Sequence, residues 1–527
     1  MQENNFTDAH ALKNKRTCGV LMPLFSMRCE NSWGIGDFNS LLSNANYYKS
    51  LGVSILQILP INEIAINETC PYTALSAFAL DPIYISVGSV SEVQNNKKIL
   101  EFIETLKPKI EALQKENKID YTKVRNLKYR VLLKAFKNFI LNEYDQKTPR
   151  SQEFSQFCKN NNYWLEGYAI FRALKELNNW SSWTKWAKEY QTFNTKKYTD
   201  FAKQRIKLIF FFKYLQWIAY SQFLDTKQKA NESGVYIFGD IPFALNLDSA
   251  DIWEHRHTFD ISKEIGAPPD QFTKKGQRWG LPQYNWQYME DNNFFWWRSR
   301  VKNISTIYDI FRLDHVIGFF RTWVYNNGKD DGHFDLKGED KQNQRGAKFL
   351  SMVLENCDKS LAVAEDLGVI PDSVRTTLKN LQIPGYKIMR WEHDNGFYRE
   401  PKNYHTISLA SLSTHDTDTL KTWWETMPPK ERKGIWEMIS TEKTDGNIPF
   451  SKETHKKILA RLLGSNSNIT ILSVQDIFGM EERINIPGTV NEHNWTFRFP
   501  YCSHNMSEDF VQKAEILKTL IKENNRI

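Results

Sequence analysis

The chain is 527 residues long, 41% hydrophobic and 25% charged, which excludes a disordered or fibrous protein. Its formal net charge of +7 comes from basic residues scattered along the sequence, so no nucleic-acid partner is indicated, and no apolar run is long enough to span a membrane. Six cysteines without a CxxC pair argue against a zinc ribbon or a disulfide framework; with an N-terminal stretch that lacks the apolar core of a secretory signal, they point to free thiols in the cytoplasm.

From the N-terminus, runs at 19–28 and 52–63 read as buried strands joined by a helix over 37–50. SWGIGDF at 32–38 has glycines but not the spacing of a dinucleotide fingerprint or a P-loop, and reads as a tight turn. The next gap is too long for one crossover helix. It opens with CPYTALSAFALD at 70–81 and continues through lysine-rich amphipathic runs at 97–143 and 201–230, so 87–200 is expected to be a helical insertion between strands two and three. Strand three is expected at 234–245. Residues 246–291, with GAPPDQFTKKGQRWGLPQYNW at 266–286, show neither a helix nor a strand period and read as a structured active-site loop insertion. Five more strand-like runs follow at 308–320, 361–370, 385–394, 407–417 and 469–479. Eight strands alternating with helical patterns predict an α/β fold, a (β/α)8 TIM barrel with large, mainly helical insertions, in preference to an open doubly wound sheet. Only NIPGTVNEHNWTFRF at 485–499 and a helix at 507–523 remain after strand eight. No separate C-terminal β-domain is therefore expected, and 1–527 reads as a single catalytic barrel domain.

The chemistry gathers where the apolar runs give out. YDIFRLDHVIGFF at 308–320 places Arg312 and Asp314 two apart, on one face of a strand. Alone, such a pair is most often a structural salt bridge. The pattern recurs, however: LAVAEDLGVI ends in Glu365 and Asp366, and ISLASLSTHDT ends in His415 and Asp416. Acids at the C-terminal ends of neighbouring barrel strands can flank a glycosidic bond. Asp314, kept ionised by Arg312, suits the nucleophile; Glu365, in an apolar mouth, suits the acid; Asp416 with His415 would be the third acid, holding sugar hydroxyls. The rival is a Mg²⁺ site on the same carboxylates, which Arg312 disfavours.

With SWGIGDF, CPYTALSAFALDP, GDIPF, GAPPDQFTKKGQRWGLPQY, FRLDHVIGFF, AEDLG and STHDT, residues 19–498 resemble the amylomaltases, the 4-α-glucanotransferases of glycoside hydrolase family 77. FRLDHVIGFFRTW and WGLPQYNW look closer to the plant cytosolic form, while Cys70 stands where Ser is common in the family. The resemblance implies no cofactor and no metal. It implies a retaining transfer through a covalent glucosyl intermediate on Asp314, with Glu365 as acid/base and Asp416 as transition-state stabiliser. Arg312 and His415 would hold the nucleophile and the sugar, and Tyr72, Asp240, Asp270 and Trp279 match substrate-contacting positions. The implied partners are maltooligosaccharides and other α-1,4-glucans, with glucose as acceptor; the alternative activity is an α-1,4-glucan hydrolase on the same barrel.

Overall fold

Each of the eight apolar runs supplies one strand of a closed parallel barrel in the computed structural model, which describes residues 9–193, 195–269 and 276–526. In chain order the strands are β1 Thr17–Leu21, β2 Ile55–Gln57, β3 Tyr236–Ile241, β4 Ile310–Leu313, β5 Leu361–Ala364, β6 Gly385–Ile388, β7 Ser408–Ser411 and β8 Ile469–Ser473. Each pairs with its chain neighbours, and β8 closes on β1 through Thr17↔Ile469 to Leu21↔Ser473. Their burial explains the near-continuous apolar runs: strands covered by helices outside and side chains inside have no polar face to show. Gly239 in β3 is needed for close packing, because a Cβ there would stand 2.4 Å from the Tyr308 ring.

The first connection is the helix Phe38–Ser50, capped by Asp37, whose side chain accepts from Ser40 N. The preceding SWGIGDF is a turn in which the backbone of Gly36 passes so close to Leu24 that a Cβ would meet its carbonyl at 1.9 Å. Between β2 and β3 lie helices Lys97–Lys115, Tyr121–Phe139, Pro149–Asn160, Asn162–Leu177, Thr195–Gln204 and the long Ile206–Glu232, which leads into β3. These helices grip residues 63–81 through buried charges: Arg172 Nε donates to Glu63 at 3.0 Å, and Arg125 donates to both oxygens of Asp81 at 2.8 and 3.0 Å.

The stretch after β3 departs from the irregular loop expected of it. Phe259–Ala267 and Gln277–Tyr284 pair antiparallel, and Trp323–Asn326 and His333–Phe334, from beyond β4, complete a four-stranded sheet. Register shifts between Asp260 and Glu264 and between Ile265 and Gly266 break the alternation that would have announced a strand. Its third strand comes from a distant part of the chain, so no local pattern could reveal it. After β8 come the short helix Val474–Phe478, an irregular segment and the helix Glu508–Glu523; no sheet follows among the described residues. None of the described helices is long and apolar enough to cross a membrane.

Candidate active site

Register brings the first pair together. Asp240 on β3 is the Cα partner of Arg312 on β4, and Arg312 Nη1 donates to both Asp240 oxygens at 3.0 and 2.7 Å. The other guanidinium nitrogen, Nη2, lies 2.8 Å from Asp314 Oδ1 and 3.8 Å from Glu365 Oε2. One buried cation thus faces three carboxylates. Burial opposes its charge, but Asp240 and Asp314 more than compensate and fix it as a permanent guanidinium.

Asp314 stands just past the last residue of β4, where Phe243 N reaches its second oxygen at 3.4 Å. The chain then turns at His315, whose φ of 48° is left-handed for a non-glycine residue. That turn aims His315 N at Glu365 Oε2, 2.7 Å away, while Leu367 N donates to Oε1 at 3.2 Å. Burial pushes the Glu365 carboxyl up to about 8, with Arg312 opposing and Asp314 adding to the rise. Of the three acids on Arg312, Asp314 is the most open, its side chain 24% exposed against 13% for Glu365 and 0% for Asp240. Two oxygens sharing one nitrogen at 2.8 and 3.8 Å can be no further apart than the sum of those lengths. That limit falls where the carboxyl spacing of inverting glycosidases begins, at about 6.5 Å, and covers the shorter spacing of retaining ones, about 5–5.5 Å.

His415 and Asp416, past the end of β7, form the opposite wall. Tyr72 ties the two walls: its hydroxyl donates to Asp240 Oδ2 at 2.7 Å and lies 3.1 Å from His415 Nε2, with the rings stacked at 5.3 Å. His415 Nε2 is 3.3 Å from Asp416 Oδ2, and Asn485 Nδ2 donates to Asp416 Oδ1 at 2.7 Å. Burial works against the Asp416 anion, but His415 and Asn485, with Arg312 beyond them, outweigh it and hold the carboxyl well below the usual range. Arg483 also donates to the Asp416 carbonyl at 2.8 Å.

Of the residues singled out in the sequence, Arg312, Asp314, Glu365, His415, Asp416, Tyr72 and Asp240 meet in this one network. Trp279 stands beside it, edge-on to His315 at 5.0 Å, and Asp270 lies outside the described residues. Sequence reasoning missed Asn485 and Trp495, the latter 5.6 Å from Tyr72 and 5.8 Å from His415 between ring centroids. Both lie in the polar, aromatic stretch 485–499, whose composition was the available signal. A cavity of about 1250 Å³ opens beside Asp416, lined by Arg390, Trp391, Phe397, Tyr398 and Trp423. Trp391 is 50% and Phe397 77% exposed there. The arrangement supplies an open carboxylate on a fixed cation, a second carboxyl protonated at neutral pH and a third held ionised. Those are the parts that glycosidic bond cleavage requires.

The 4-alpha-glucanotransferase family, glycoside hydrolase family 77, matches residues 22–504. A 4-alpha-glucanotransferase of Chlamydia pneumoniae is 33% identical over 521 residues, covering 93% of each chain. One from Clostridium butyricum is 31% identical over 489 residues, 88% of this chain and 93% of that one. In structure, the chain is similar to the amylomaltase of Streptococcus agalactiae, solved in complex with acarbose, at a TM-score of 0.81 and 24% identity, covering 97% of this chain and 100% of that one. It is also similar to the amylomaltase of Corynebacterium glutamicum, at a TM-score of 0.82 and 20% identity, covering 99% of this chain and 77% of that one.

Proposed function

The chain belongs to the 4-alpha-glucanotransferase family, glycoside hydrolase family 77, and on that premise we propose that Asp314, Glu365 and Asp416 carry its transfer reaction. The enzyme cuts α-1,4-glucans and passes the glucanosyl unit to an acceptor sugar. In the proposed course, Asp314 attacks the anomeric carbon while Glu365 protonates the departing 4-oxygen, leaving the glycosyl unit as an ester on Asp314. Glu365, now ionised, takes the proton of the acceptor 4-hydroxyl as that oxygen displaces Asp314. Asp416 holds ring hydroxyls and favours the cationic transition state, while Arg312, 2.8 Å from Asp314 Oδ1, holds the nucleophile in place. The observation that carries this reading is the single guanidinium shared by Asp314 and Glu365. Tyr72, Asp240, His415 and Trp279 shape the subsite around them, and Asp270, outside the described residues, is proposed from the sequence alone as a substrate contact. Maltooligosaccharides are the proposed donors, with glucose or a shorter oligosaccharide as acceptor. A cytoplasmic location accords with the cysteine pattern.

We read the chain as one catalytic unit in which 87–200 braces the Tyr72 loop and 246–291 walls the cleft. Transfer beats hydrolysis when the acceptor is fixed in attack geometry, which can be worth up to roughly 7–11 kcal/mol of barrier. Purified protein given maltotriose is expected to make a ladder of longer and shorter oligosaccharides plus glucose, with almost no net gain of reducing ends. Reducing ends rising in step with products from the outset would make water the acceptor and refute the transfer reading.

A further inference from the structure

The turn that carries His415 and Asp416 is fastened at both ends. Arg390, lying over the Trp423 ring at 4.7 Å, donates to the carbonyls of Leu412 at 3.0 Å and Asp418 at 2.9 Å. Asp476, fully buried, accepts from the Ser413 hydroxyl and, at 2.7 Å, from Leu420 N. Between these anchors the turn is braced locally: Thr417 Oγ1 accepts from Thr414 N at 3.0 Å, and Thr414 Oγ1 from Asp416 N at 3.2 Å. Arg483 reaches its middle from the segment after β8. Nη2 donates to the Asp416 carbonyl at 2.8 Å, Nη1 to Asp418 Oδ1 at 2.6 Å and Nε to the Asn485 carbonyl at 3.1 Å.

We propose that Arg483 is a positioning residue for the third acid: it locks the Asp416 backbone to the segment that bears Asn485, and so sets where the Asp416 carboxylate stands. Each of its three nitrogens has a protein acceptor, so the guanidinium acts without touching sugar. Its planar fork meets three acceptors at once, which a lysine ammonium on a flexible stem does not reproduce. The contacts close a circuit. Arg483 holds the carbonyls of Asp416 and Asn485, and Asn485 Nδ2 returns a bond to Asp416 Oδ1 at 2.7 Å. Trp495 is tied to the same segment, because its N–H donates to the Ile484 carbonyl at 2.8 Å while its ring stands 5.8 Å from His415. The main chain of the acid and the donor to its side chain are therefore set by one cation.

The proposal rests on the reading of Asp416 as the acid that favours the transition state. A displaced carboxylate loses most where positive charge develops on the sugar, so the cost falls on kcat more than on KM. Arg483 also stands between the cavity beside Asp416 and a second one of about 560 Å³ lined by Lys118, Ile486 and Phe497. With its side chain 24% exposed, the place it fills is open to a small cation once the side chain is removed.

The test compares Arg483→Ala, Asp418→Ala and Asp416→Asn on maltotriose, each with and without guanidinium ion far below the concentrations that unfold proteins. Arg483→Ala is expected to lose about 10- to 100-fold in kcat with KM within about threefold, since a misplacement of about 1 Å can cost that much. Guanidinium should restore its kcat severalfold by filling the vacated place, and should not help Asp418→Ala or Asp416→Asn. Asp418→Ala, which leaves Arg483 its two carbonyl acceptors, should show the same split at about tenfold. An unchanged kcat in Arg483→Ala would overturn the proposal, and so would a loss that guanidinium does not relieve. If a melting curve shows Arg483→Ala unfolded, an unchanged kcat in Asp418→Ala overturns it instead. Full activity in Asp416→Asn would take Asp416 out of the reaction, and the proposal would fall with that assignment. An inactive Asp416→Asn beside an unimpaired Arg483→Ala would overturn the proposal alone.

Discussion

Replacing Glu365 with glutamine should change how the heat stability of the protein responds to pH, because the fold holds this carboxyl far from its usual ionisation. The side chain is 13% exposed, and burial lifts it from 4.5 to about 8. A carboxyl raised in the folded state binds its proton more tightly there than in the unfolded chain. Its contribution to stability is therefore complete below about pH 4.5 and is lost as pH rises through about 8. Each unit is worth about 1.4 kcal/mol, so ionising Glu365 inside the fold costs on the order of 4–5 kcal/mol above pH 8. Unfolding entropy near 2 cal/mol/K per residue makes a degree of Tm worth about 1 kcal/mol in a chain of this length. The unaltered protein should thus lose roughly 3–5 °C from this one group between pH 5 and pH 9.

Glu365→Gln cannot ionise and should escape that loss. The substitution has its own cost: His315 N and Leu367 N both donate to Glu365, and a carboxamide can accept through one oxygen only. An unmet amide costs on the order of 1–3 kcal/mol, equally at every pH. The informative quantity is therefore the difference in Tm between variant and parent, followed by thermal unfolding from pH 5 to pH 9. It should move in favour of the variant by roughly 3–5 °C as pH rises. A difference that stays flat across that window would show that Glu365 ionises near its ordinary value, and its assignment as a proton donor at neutral pH would fall with it.

Asn485→Leu removes the donor to Asp416 Oδ1 at 2.7 Å. A hydrogen bond to a charged group is worth about 1.5–3 kcal/mol, so kcat/KM on maltotriose should drop about 10- to 100-fold with Tm little changed; steady-state kinetics beside a melting curve will show it. Arg526 is fully buried on the side of the barrel where β1 and β8 begin, and donates to the carbonyls of Thr17, Leu463, Ser465 and Ser467. Arg526→Met should strip those acceptors and lower Tm by roughly 2–4 °C at pH 7 while kcat holds, and an equal loss of kcat would mean that the strand starts and the catalytic mouth are coupled.

The barrel was legible because buried parallel strands are written as apolar runs with few interruptions, and eight runs with helical patterns between them admit few topologies. Their ends were harder to read. The run 308–320 looks like one long strand, yet the strand ends at Leu313 and the chain turns through His315 without a glycine to mark the place. Side-chain parity still put Arg312 and Asp314 on one face, since Asp314 continues the strand direction for one more residue before the turn. The opposite failure is the sheet after β3. Two register shifts erased its alternation, and its third strand, Trp323–Asn326, comes from beyond the next barrel strand.

The site divides along the same line. Residues anchored to strand ends could be found, because a strand fixes both the position and the facing of its last side chains. Residues that reach the site from a loop could not be found by that route, because nothing in 485–499 says that Asn485 meets Asp416 or that Trp495 packs on His415. Composition likewise could not separate the roles of the acids. Asp314, Glu365 and Asp240 all face Arg312, and what distinguishes them is how far each is exposed and what each is bonded to. The one left most open is Asp314, the proposed nucleophile. Glu365 is pushed up to about 8 by burial, against the pull of Arg312 and of the His315 amide. The one sealed between Tyr72 and the guanidinium serves to hold Arg312. The left-handed turn at His315 positions both acids: its amide fixes Glu365 Oε2 at 2.7 Å, and Asp314 is left the more open of the two, while burial sets the Glu365 proton affinity.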